Sequence, residues 1–296
     1  MSKITKDQIN RLKPSATLAI NEKSNKLIKS GKKVYKFGFG QSPFPIPDSI
    51  ISALRNYANK NTYLPMQGLK ELRTAIKNHL NKNNNNQFES DDIVIGPGTK
   101  ELMFLTQIAF NGDILLPAPS WVSYAPQALI AKNKVHWIQT SSSTNWFPTG
   151  KDIEDKIKTI KNKNLILFIN SPNNPSGAVC ENLKEISEIA KKYKLVILSD
   201  EIYSRLTFNK KYQSISNYYP EGTIVSTGLS KWCGAGGWRL GFFAIPKQLD
   251  NLKNSLKILC SESFTSVSTP IQYAAIEAYE GDHSEYLNQV RKILSF

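Results

Sequence analysis

From residue 92 onward, short apolar runs alternate with stretches of helical period, and this alternation constrains the fold more than any other feature of the sequence. Apolar runs of strand length separated by helices are typical of β-α units built around a parallel sheet. The predicted strands are residues 93–95, 114–116, 135–138, 165–170, 195–199, 223–227 and 240–245, and the predicted helices are residues 99–110, 120–131 and 181–193. We therefore predict an α/β fold in which helices cover both faces of a mainly parallel sheet.

The first part of the chain has a different pattern, with helices before any run of strands. The predicted elements are helices over 16–30, 48–59 and 68–82, a short strand over 33–37, a stretch rich in Gly and Pro over 38–47, and an asparagine-rich surface loop over 81–86.

The chain is strongly basic, with 38 Lys and Arg against 24 Asp and Glu and a net charge of +14. A surface that binds nucleic acid needs clustered cations and favours arginine, because the guanidinium group makes bidentate contacts to phosphates and bases. Only six of the basic residues are Arg, and the lysines are interspersed with Asp and Glu in helix-like segments such as 181–194. We interpret the charge as a solvated lysine-rich surface and expect no nucleic-acid partner.

Composition and cysteine usage exclude several other classes. Hydrophobic residues make up 40% and charged residues 21%, which is typical of a globular protein rather than a disordered one. Cys180, Cys233 and Cys260 form no CxxC pair, and with three scattered histidines they complete no zinc site. Residues 1–7 lack the apolar core of a signal peptide, and no apolar stretch reaches the roughly 18 residues of a membrane span. We expect a cytoplasmic protein with no metal and no membrane partner.

Polar motifs follow four of the predicted strands. Ligands of parallel α/β sheets bind beyond the carboxyl ends of the strands, so motifs at these ends are expected to meet on one rim. The four motifs are Gly96-Pro-Gly-Thr-Lys100, Asn170-Ser-Pro-Asn-Asn-Pro-Ser-Gly177, Ser199-Asp-Glu-Ile-Tyr203 and the glycine-rich segment 228–241.

The motif Gly98-Thr99-Lys100 opens a predicted helix directly after a strand. Free backbone N–H groups and the helix dipole at such a position attract an anion, typically a phosphate, and the Thr99 hydroxyl adds a donor. The motif is neither a Walker A sequence nor GxGxxG. An ordinary strand-to-helix turn is the alternative interpretation of this motif taken alone.

Lys231 follows a predicted strand and lies in a stretch of small residues that would let a ligand approach the backbone closely. A lysine held in a rim can lose its proton and attack an aldehyde to form a Schiff base. Arg239 lies eight residues further on in a chain poor in Arg, and a planar guanidinium suits a phosphate dianion. Lysines usually lie on the surface, so the glycines and Arg239 are what distinguish Lys231.

Asp200, Tyr203 and Asn174 complete the candidate rim. A carboxylate at the end of an apolar strand can hold a cofactor nitrogen in its protonated form, and a helix N-cap is the alternative interpretation of Asp200. Tyr203 can donate a hydrogen bond to an oxygen. Asn174 offers its amide to a phenolic oxygen, with a turn residue as the alternative.

These residues resemble the class I/II aminotransferases, which use pyridoxal phosphate (PLP) and have fold type I. The segment 228–241 is similar to the lysine signature of that family, with a small, an apolar and a small residue before the lysine and an arginine eight positions after it. Further motifs follow the family's order along nearly the whole chain: Leu12-Lys-Pro-Ser-Ala-Thr17, Gly40 before Phe44 and Pro47, Tyr63 with Gly68, Leu72 and Arg73, Gly98-Thr-Lys100, Pro117-Ala-Pro-Ser-Trp-Val-Ser-Tyr124, Asn174-Pro-Ser-Gly177 and Asp200-Glu-Ile-Tyr203.

The resemblance implies a role for each residue of the rim. Lys231 is implied as the catalytic residue, which forms the Schiff base with PLP and moves a proton between the substrate Cα and the cofactor. Asp200 is implied to pair with the pyridinium nitrogen, which keeps the ring an electron sink. Tyr203 and Asn174 would hydrogen-bond the ring oxygen, and Trp121 would stack on the ring.

The resemblance also implies a phosphate site, a substrate site and an assembly. The implied phosphate-binding residues are Gly98, Thr99, Lys100, Ser230 and Arg239. Tyr63 is implied to reach the phosphate of the neighbouring subunit, which predicts a homodimer with shared active sites. The implied substrate-binding residues are Gly40, Trp121 and Asn174.

The implied reaction is ping-pong transamination between an L-amino acid and a 2-oxo acid such as 2-oxoglutarate. The opening at residues 12–17 resembles the bacterial aspartate/prephenate aminotransferase type, which favours aspartate or a broad range of amino acids. Gln41-Ser42-Pro43 and the residues after Lys231 differ from the usual sequences of that type. A fold type I PLP lyase is one alternative function, because a shared fold does not fix the reaction. A non-enzymatic PLP-binding protein is another.

The resemblance divides the chain into an N-terminal segment of a small α+β domain (1–47), a large PLP-binding domain (48–268) and an interdomain helix (269–296). In the family, that helix leads into the rest of the small domain, whose arginine holds the substrate carboxylate. Arg291 comes too early to be that arginine. We therefore expect only part of the small domain here, and weak or absent turnover by these 296 residues alone, as in a truncated PLP-binding protein.

Overall fold

A computed structural model describes residues 4–10, 12–13, 16–36, 38, 40–83, 87–208 and 212–295. Several residues of the predicted segments lie outside the described ones, namely Pro14 and Ser15 of the opening motif, Phe37 of the strand-like piece, residues 84–86 of the asparagine run, and Phe296.

A seven-stranded sheet forms the centre of the described part of the chain. Its strands are β1 (Ile93–Gly96), β2 (Asp113–Ala118), β3 (Val135–Gln139), β4 (Leu165–Asn170), β5 (Val196–Asp200), β6 (Thr223–Gly228) and β7 (Gly241–Ala244). The strand order is β1-β7-β6-β5-β4-β2-β3. Only β7 runs antiparallel to its neighbours β1 and β6, while the other pairs are parallel. The predicted α/β class with a mainly parallel sheet is confirmed.

Eleven α-helices surround this sheet in the part of the chain that the structure describes. They are α1 (Asp7–Asn10), α2 (Ala16–Lys29), α3 (Asp48–Tyr57), α4 (Lys70–Asn83), α5 (Thr99–Ala109), α6 (Tyr124–Ala131), α7 (Gly150–Lys158), α8 (Leu183–Lys192), α9 (Asp250–Ser263), α10 (Thr269–Glu280) and α11 (Ser284–Leu294). None of them is long and apolar enough to span a bilayer.

Four elements differ from the sequence-based prediction. Residues 33–36 form no strand, and α7 and α9 lie in segments for which no helix was predicted. The stretch 269–296, predicted as one helix, contains two helices separated at residues 281–283. The Asp282 carboxylate accepts a hydrogen bond of 2.9 Å from the backbone N–H of Ser284, the first residue of α11, and this local bond favours the break. Helix α10 packs against α3 and α4. The division into domains at residues 47/48 and 268/269 stays a prediction.

The two faces of the sheet are buried by different helices, because alternate residues of each strand point to opposite sides. Ile93 and Ile95 pack with α3, α4 and α10 on one face, and Val94 packs with α5 and α9 on the other. Leu165 and Leu167 of β4 share the first face with α7 and α8. This two-sided burial fixes the register of the sheet and therefore the positions of the strand ends.

Three glycines line up across the edge of the sheet where β1 and β6 end and β7 begins. Gly96 pairs with Gly241, and Gly241 pairs with Gly228. A Cβ on Gly241 would lie only 2.6 Å from the backbone nitrogen of Thr99. Glycine at this position therefore lets the start of α5 approach the sheet edge closely.

Candidate active site

Lys231 comes three residues after the end of β6, and its side chain is half-buried. Its Nζ donates a hydrogen bond of 2.7 Å to the carbonyl oxygen of Gly40 and lies 5.7 Å from the centre of the Tyr203 ring. Burial lowers the pKa of Lys231, the Asp200 carboxylate opposes this shift, and Arg239 adds to it. The amine therefore loses its proton more readily than a surface lysine does.

Asp200 ends β5 and is 5% exposed. The Tyr124 hydroxyl donates a hydrogen bond of 2.6 Å to its Oδ2, and the Ile202 backbone N–H donates to its Oδ1 at 3.3 Å. Burial raises the pKa of Asp200 to about 6, although these hydrogen bonds and the Lys231 charge act in the opposite direction. A buried carboxylate with so few partners is prepared to hold a positively charged group.

Tyr124 is a site residue whose role the sequence did not reveal. It is fully buried on the first turn of α6, with its ring centre 5.3 Å from that of Trp121 and 4.9 Å from that of Phe168. Burial, the Asp200 charge and the hydrogen bond to Asp200 keep the pKa of Tyr124 well above its usual value. The hydroxyl therefore stays protonated and orients the carboxylate. The spacing of three residues from Trp121 was the one signal that could have indicated it.

Asn174 and Tyr203 meet as predicted. The Asn174 Nδ2 lies 3.5 Å from the Tyr203 hydroxyl, and the Asn174 backbone N–H donates to the side chain of Asn170 at 2.7 Å. Asn170 Nδ2 in turn donates to the Asp200 backbone carbonyl at 3.0 Å. These bonds tie the loop after β4 to the end of β5, which holds both polar groups on the same rim.

Arg239 lies over the N-terminus of α5. Its guanidinium donates to the carbonyl oxygens of Gly236 at 2.9 Å and Pro97 at 3.2 Å. A Cβ on Gly98, which has a φ of +86°, would lie 2.2 Å from the Arg239 Nη2. The guanidinium thus lies directly against Gly98, beside the first N–H groups of α5, which begins at Thr99, and a side chain on Gly98 would collide with it.

The other predicted site residues occupy different surroundings. The Lys100 Nζ lies 5.6 Å from the centre of the Trp121 ring, and Ser230 is half-buried beside Lys231. Tyr63 is 89% exposed on the surface of this single chain, and its contact with a second subunit stays a prediction. Gly40 reaches the rim through its carbonyl oxygen, as described above for Lys231.

Glu201 is a second buried carboxyl group that the sequence analysis did not single out. It is 3% exposed and accepts hydrogen bonds from the hydroxyls of Ser199, at 2.9 Å, and Ser214. Burial raises its pKa to about 7, against the effect of these hydrogen bonds. The Tyr212 side chain also hydrogen-bonds Glu201, so the partners of this carboxyl group are the two serines and Tyr212 rather than the rim residues.

The rim residues fit the functional groups of PLP. An amine with a lowered pKa suits the aldehyde, a buried carboxylate suits the ring nitrogen, and a phenol beside an amide suits the ring oxygen. A helix N-terminus next to a guanidinium suits the phosphate. The residues concerned are Lys231, Asp200, Tyr203, Asn174, Gly98, Thr99 and Arg239.

Comparisons with known proteins identify the family of the chain. The family model "Aminotransferase class I and II" matches residues 32–295. The chain is 33% identical over 303 residues to an "Aspartate aminotransferase" of Bacillus sp. (strain YM-2), covering 99% of this chain and 76% of the relative. It is 34% identical over 305 residues to a "Probable aspartate/prephenate aminotransferase" of Aquifex aeolicus, covering 98% and 75%.

Solved structures give the same result. An aspartate aminotransferase from Thermus thermophilus with maleate superposes with a TM-score of 0.91 at 28% identity, covering 97% of this chain and 76% of that one. An alanine aminotransferase from Pyrococcus furiosus superposes with a TM-score of 0.89 at 28% identity, covering 98% and 76%. The fold and the site define a PLP-dependent transferase of fold type I. The chain belongs to the class I and II aminotransferase family.

Proposed function

We propose that this aminotransferase moves the amino group of L-aspartate, or of a broader range of L-amino acids, to a 2-oxo acid such as 2-oxoglutarate by a ping-pong mechanism. The observation that carries the proposal is the Lys231 amine, which is half-buried at the rim with Asp200 and Arg239 acting on its charge. The names of the relatives favour aspartate. The alanine aminotransferase with the same fold is the reason for including a broader range.

Lys231 is the residue we propose for proton transfer. PLP, when bound, supplies an electron sink that stabilises negative charge at the substrate α-carbon. The Lys231 amine would take the proton from that carbon and pass it to the cofactor. The lowered pKa of Lys231 keeps a larger share of the amine in the basic form near neutral pH. The Gly40 carbonyl, 2.7 Å from Nζ, would orient the amine.

The other rim residues would bind and orient. Asp200, itself oriented by the Tyr124 hydroxyl, would hold a proton at the ring nitrogen. Tyr203 and Asn174 would donate hydrogen bonds to the ring oxygen. The phosphate would be bound by the remaining residues, namely Gly98, Thr99, Lys100, Ser230 and Arg239, and Trp121 would exclude water from the ring face.

We further propose a homodimer in the cytoplasm. Tyr63 is 89% exposed on the single chain, which supports a contact with the phosphate site of a second subunit. The three cysteines are free and buried in separate places, which suits a reducing compartment.

The test of the proposed function is a product assay with the purified chain and PLP. Incubation with L-aspartate and 2-oxoglutarate should yield glutamate and oxaloacetate in equal amounts, and L-alanine in place of aspartate measures the breadth of specificity. With L-cysteine, whose β-carbon carries a leaving group, formation of pyruvate, ammonia and sulfide without any 2-oxo acid would instead identify a lyase. The alternative, a truncated PLP-binding protein with little or no turnover, predicts bound PLP and none of these products, and that outcome would contradict the proposal.

Replacing Gly98 with alanine should weaken PLP binding because the new Cβ would collide with the Arg239 guanidinium, 2.2 Å away. Loss of a charge-assisted hydrogen bond to phosphate should raise the dissociation constant roughly 10- to 100-fold. Titration followed by the visible absorbance of PLP measures it. Gly31→Ala is the matched control, since Gly31 also has a positive φ, of +80°, but has open space around it. Equal affinity in the two variants would contradict the assignment of this phosphate site.

A further inference from the structure

Trp232 directly follows Lys231 and is held by an unusual contact. The indole is 2% exposed, and the guanidinium carbon of Arg205 lies 3.7 Å from the centre of its ring. The ring of His283 lies 5.6 Å from the same indole. A cation this close to the face of a desolvated tryptophan is at the favourable end of such contacts.

Arg205 has no carboxylate partner among the residues that the structure describes, and its Nη1 is buried without a hydrogen bond. Burial lowers the pKa of Arg205 to about 10, so the group is still a cation at neutral pH. The indole face is therefore the main interaction of this guanidinium. A buried arginine that is paired with a ring rather than with an anion suggests a packing role that depends on its planar shape.

The backbone of Arg205 is fixed separately. Arg291 of α11 donates two hydrogen bonds to the Arg205 carbonyl oxygen, from Nε at 3.1 Å and from Nη2 at 2.8 Å. The turn that carries Arg205 is thus held through its carbonyl by α11, and its side chain is free to hold Trp232.

The stack joins the two segments that carry rim residues. Arg205 comes two residues after Tyr203, Trp232 comes one residue after Lys231, and the Lys231 Nζ lies 5.7 Å from the Tyr203 ring. We propose that Arg205 is a positioning residue. Its stack on Trp232 fixes the neighbouring Lys231 next to Tyr203, and the burial of Lys231 in this position keeps its amine reactive. The proposal rests on the function proposed for Lys231.

The charge of Arg205 does not act on Lys231 directly. The charged or titratable groups that face Lys231 are Asp200, Arg239 and Tyr203, and two of these, Asp200 and Arg239, shift its pKa. The groups around Arg205 are different ones: His79 of α4, Tyr279 of α10, Cys233 and Arg291 of α11. Arg205 can therefore influence the Lys231 amine only by fixing where Lys231 lies.

A cavity beside Arg205 explains why removal of its guanidinium should change the solvation of Lys231. Arg205, Trp232 and Arg291 border a cavity of about 1110 Å³. Without the guanidinium, water from this cavity can reach the indole face, and the segment 231–232 loses its packing partner. Lys231 would then become better solvated, which raises the pKa of a lysine toward its ordinary value.

The test measures the pKa of Lys231 in the cofactor-free protein. Trace labelling with acetic anhydride across a pH series, read by mass spectrometry of the Lys231 peptide, gives the midpoint for the free amine. Arg205→Met should raise this midpoint by about 0.5–1.5 units, which leaves roughly 3- to 30-fold less free amine at neutral pH. Arg205→Lys keeps a cation over the ring but loses the planar stack, and it should give a smaller rise.

Two further variants separate positioning from general destabilisation. Lys191→Met removes a cation 6.0 Å from the ring of Tyr219, a contact of the same kind away from the rim, and should leave the Lys231 midpoint unchanged. Trp232→Leu should raise the midpoint, and adding Arg205→Met to it should raise it no further, because both changes break one link. The near-UV circular dichroism of tryptophan reports whether each variant is folded.

An unchanged midpoint in folded Arg205→Met would overturn the proposal even if the melting temperature fell. Should that variant not fold, an unchanged midpoint in Arg205→Lys and Trp232→Leu would overturn it equally. The labelling needs neither PLP nor substrate. A wild-type chain without transaminase products would therefore defeat the proposed function, while the labelling result still decides the positioning role.

Discussion

Lys231→Ala should abolish the covalent attachment of PLP to the chain. In the wild type, the amine combines half-burial, a lowered pKa and a fixed orientation toward Gly40, and alanine removes this amine, which is the group we expect to attack the aldehyde. Borohydride reduction of the PLP-loaded protein should fix the cofactor on the Lys231 peptide in the wild type and nowhere in the variant. Amino-group transfer should fall by at least about 10²–10⁴-fold, the range for loss of a positioned acid-base group.

Lys247→Ala is the control, because Lys247 is an exposed lysine on a turn after β7. It should keep both the adduct and the transfer rate. The result that would count against Lys231 is a PLP adduct on a different lysine. Lys100, whose Nζ lies 5.6 Å from the Trp121 ring, is the other lysine of the predicted site. An adduct on the Lys100 peptide in the wild type would contradict the assignment of Lys231.

Much of the architecture could be predicted because it depends on local periodicity. All seven strands lie at the apolar runs singled out in the sequence, and each begins or ends within a few residues of its prediction. Two-sided burial makes such strands almost wholly apolar, so they contrast sharply with the polar loops between them. The expected meeting of the motifs after β1, β4, β5 and β6 follows from the parallel arrangement, because parallel strands end at one edge.

Helices α7 and α9 were missed because they carry many charges, and only one stripe of each is buried. Ile153 and Ile157 are the buried apolar residues of α7, and Leu256 and Cys260 are those of α9. The start of α7 was in fact marked by a capping box, in which Thr149 accepts a hydrogen bond from the Asp152 backbone and the Asp152 side chain accepts one in return.

Contacts between distant parts of the chain could not be predicted from the sequence. The hydrogen bond from Lys231 to Gly40 spans 191 positions, and the one from Tyr124 to Asp200 spans 76. Nothing local to either residue indicates its partner. The stack of Arg205 on Trp232 belongs to the same class, since it depends on how two loops pack after separate strands. The motifs therefore indicate which residues are candidates for the site, and long-range packing decides the chemistry of each one.

Asp200→Asn should make the cofactor-free protein more stable while it impairs the site. Burial raises the pKa of Asp200 to about 6 from 3.8, so the folded chain binds this proton more tightly than the unfolded chain does. Between about pH 4 and pH 6 the unfolded state has released a proton that the folded state still holds, and stability falls as the pH rises. Above pH 6 the folded state carries the full free-energy cost of burying the ionised Asp200 carboxylate. Asparagine carries no charge, so the stability advantage of the variant over the wild type should grow by on the order of 2–3 kcal/mol between pH 4 and pH 7.5.

The same substitution should reduce amino-group transfer by roughly 100-fold or more, because a neutral amide no longer holds the proton of the ring nitrogen. Denaturant unfolding at several pH values and the product assay measure the two effects on one sample.

Glu201→Gln is the matched control. Its carboxyl group is also buried, with a pKa raised to about 7, but its hydrogen bonds go to Ser199, Ser214 and Tyr212. It should show a similar gain in stability above neutral pH and keep its transfer rate. A loss of activity as large in Glu201→Gln as in Asp200→Asn would mean that burial of charge at the end of β5, rather than contact with the cofactor, sets the rate.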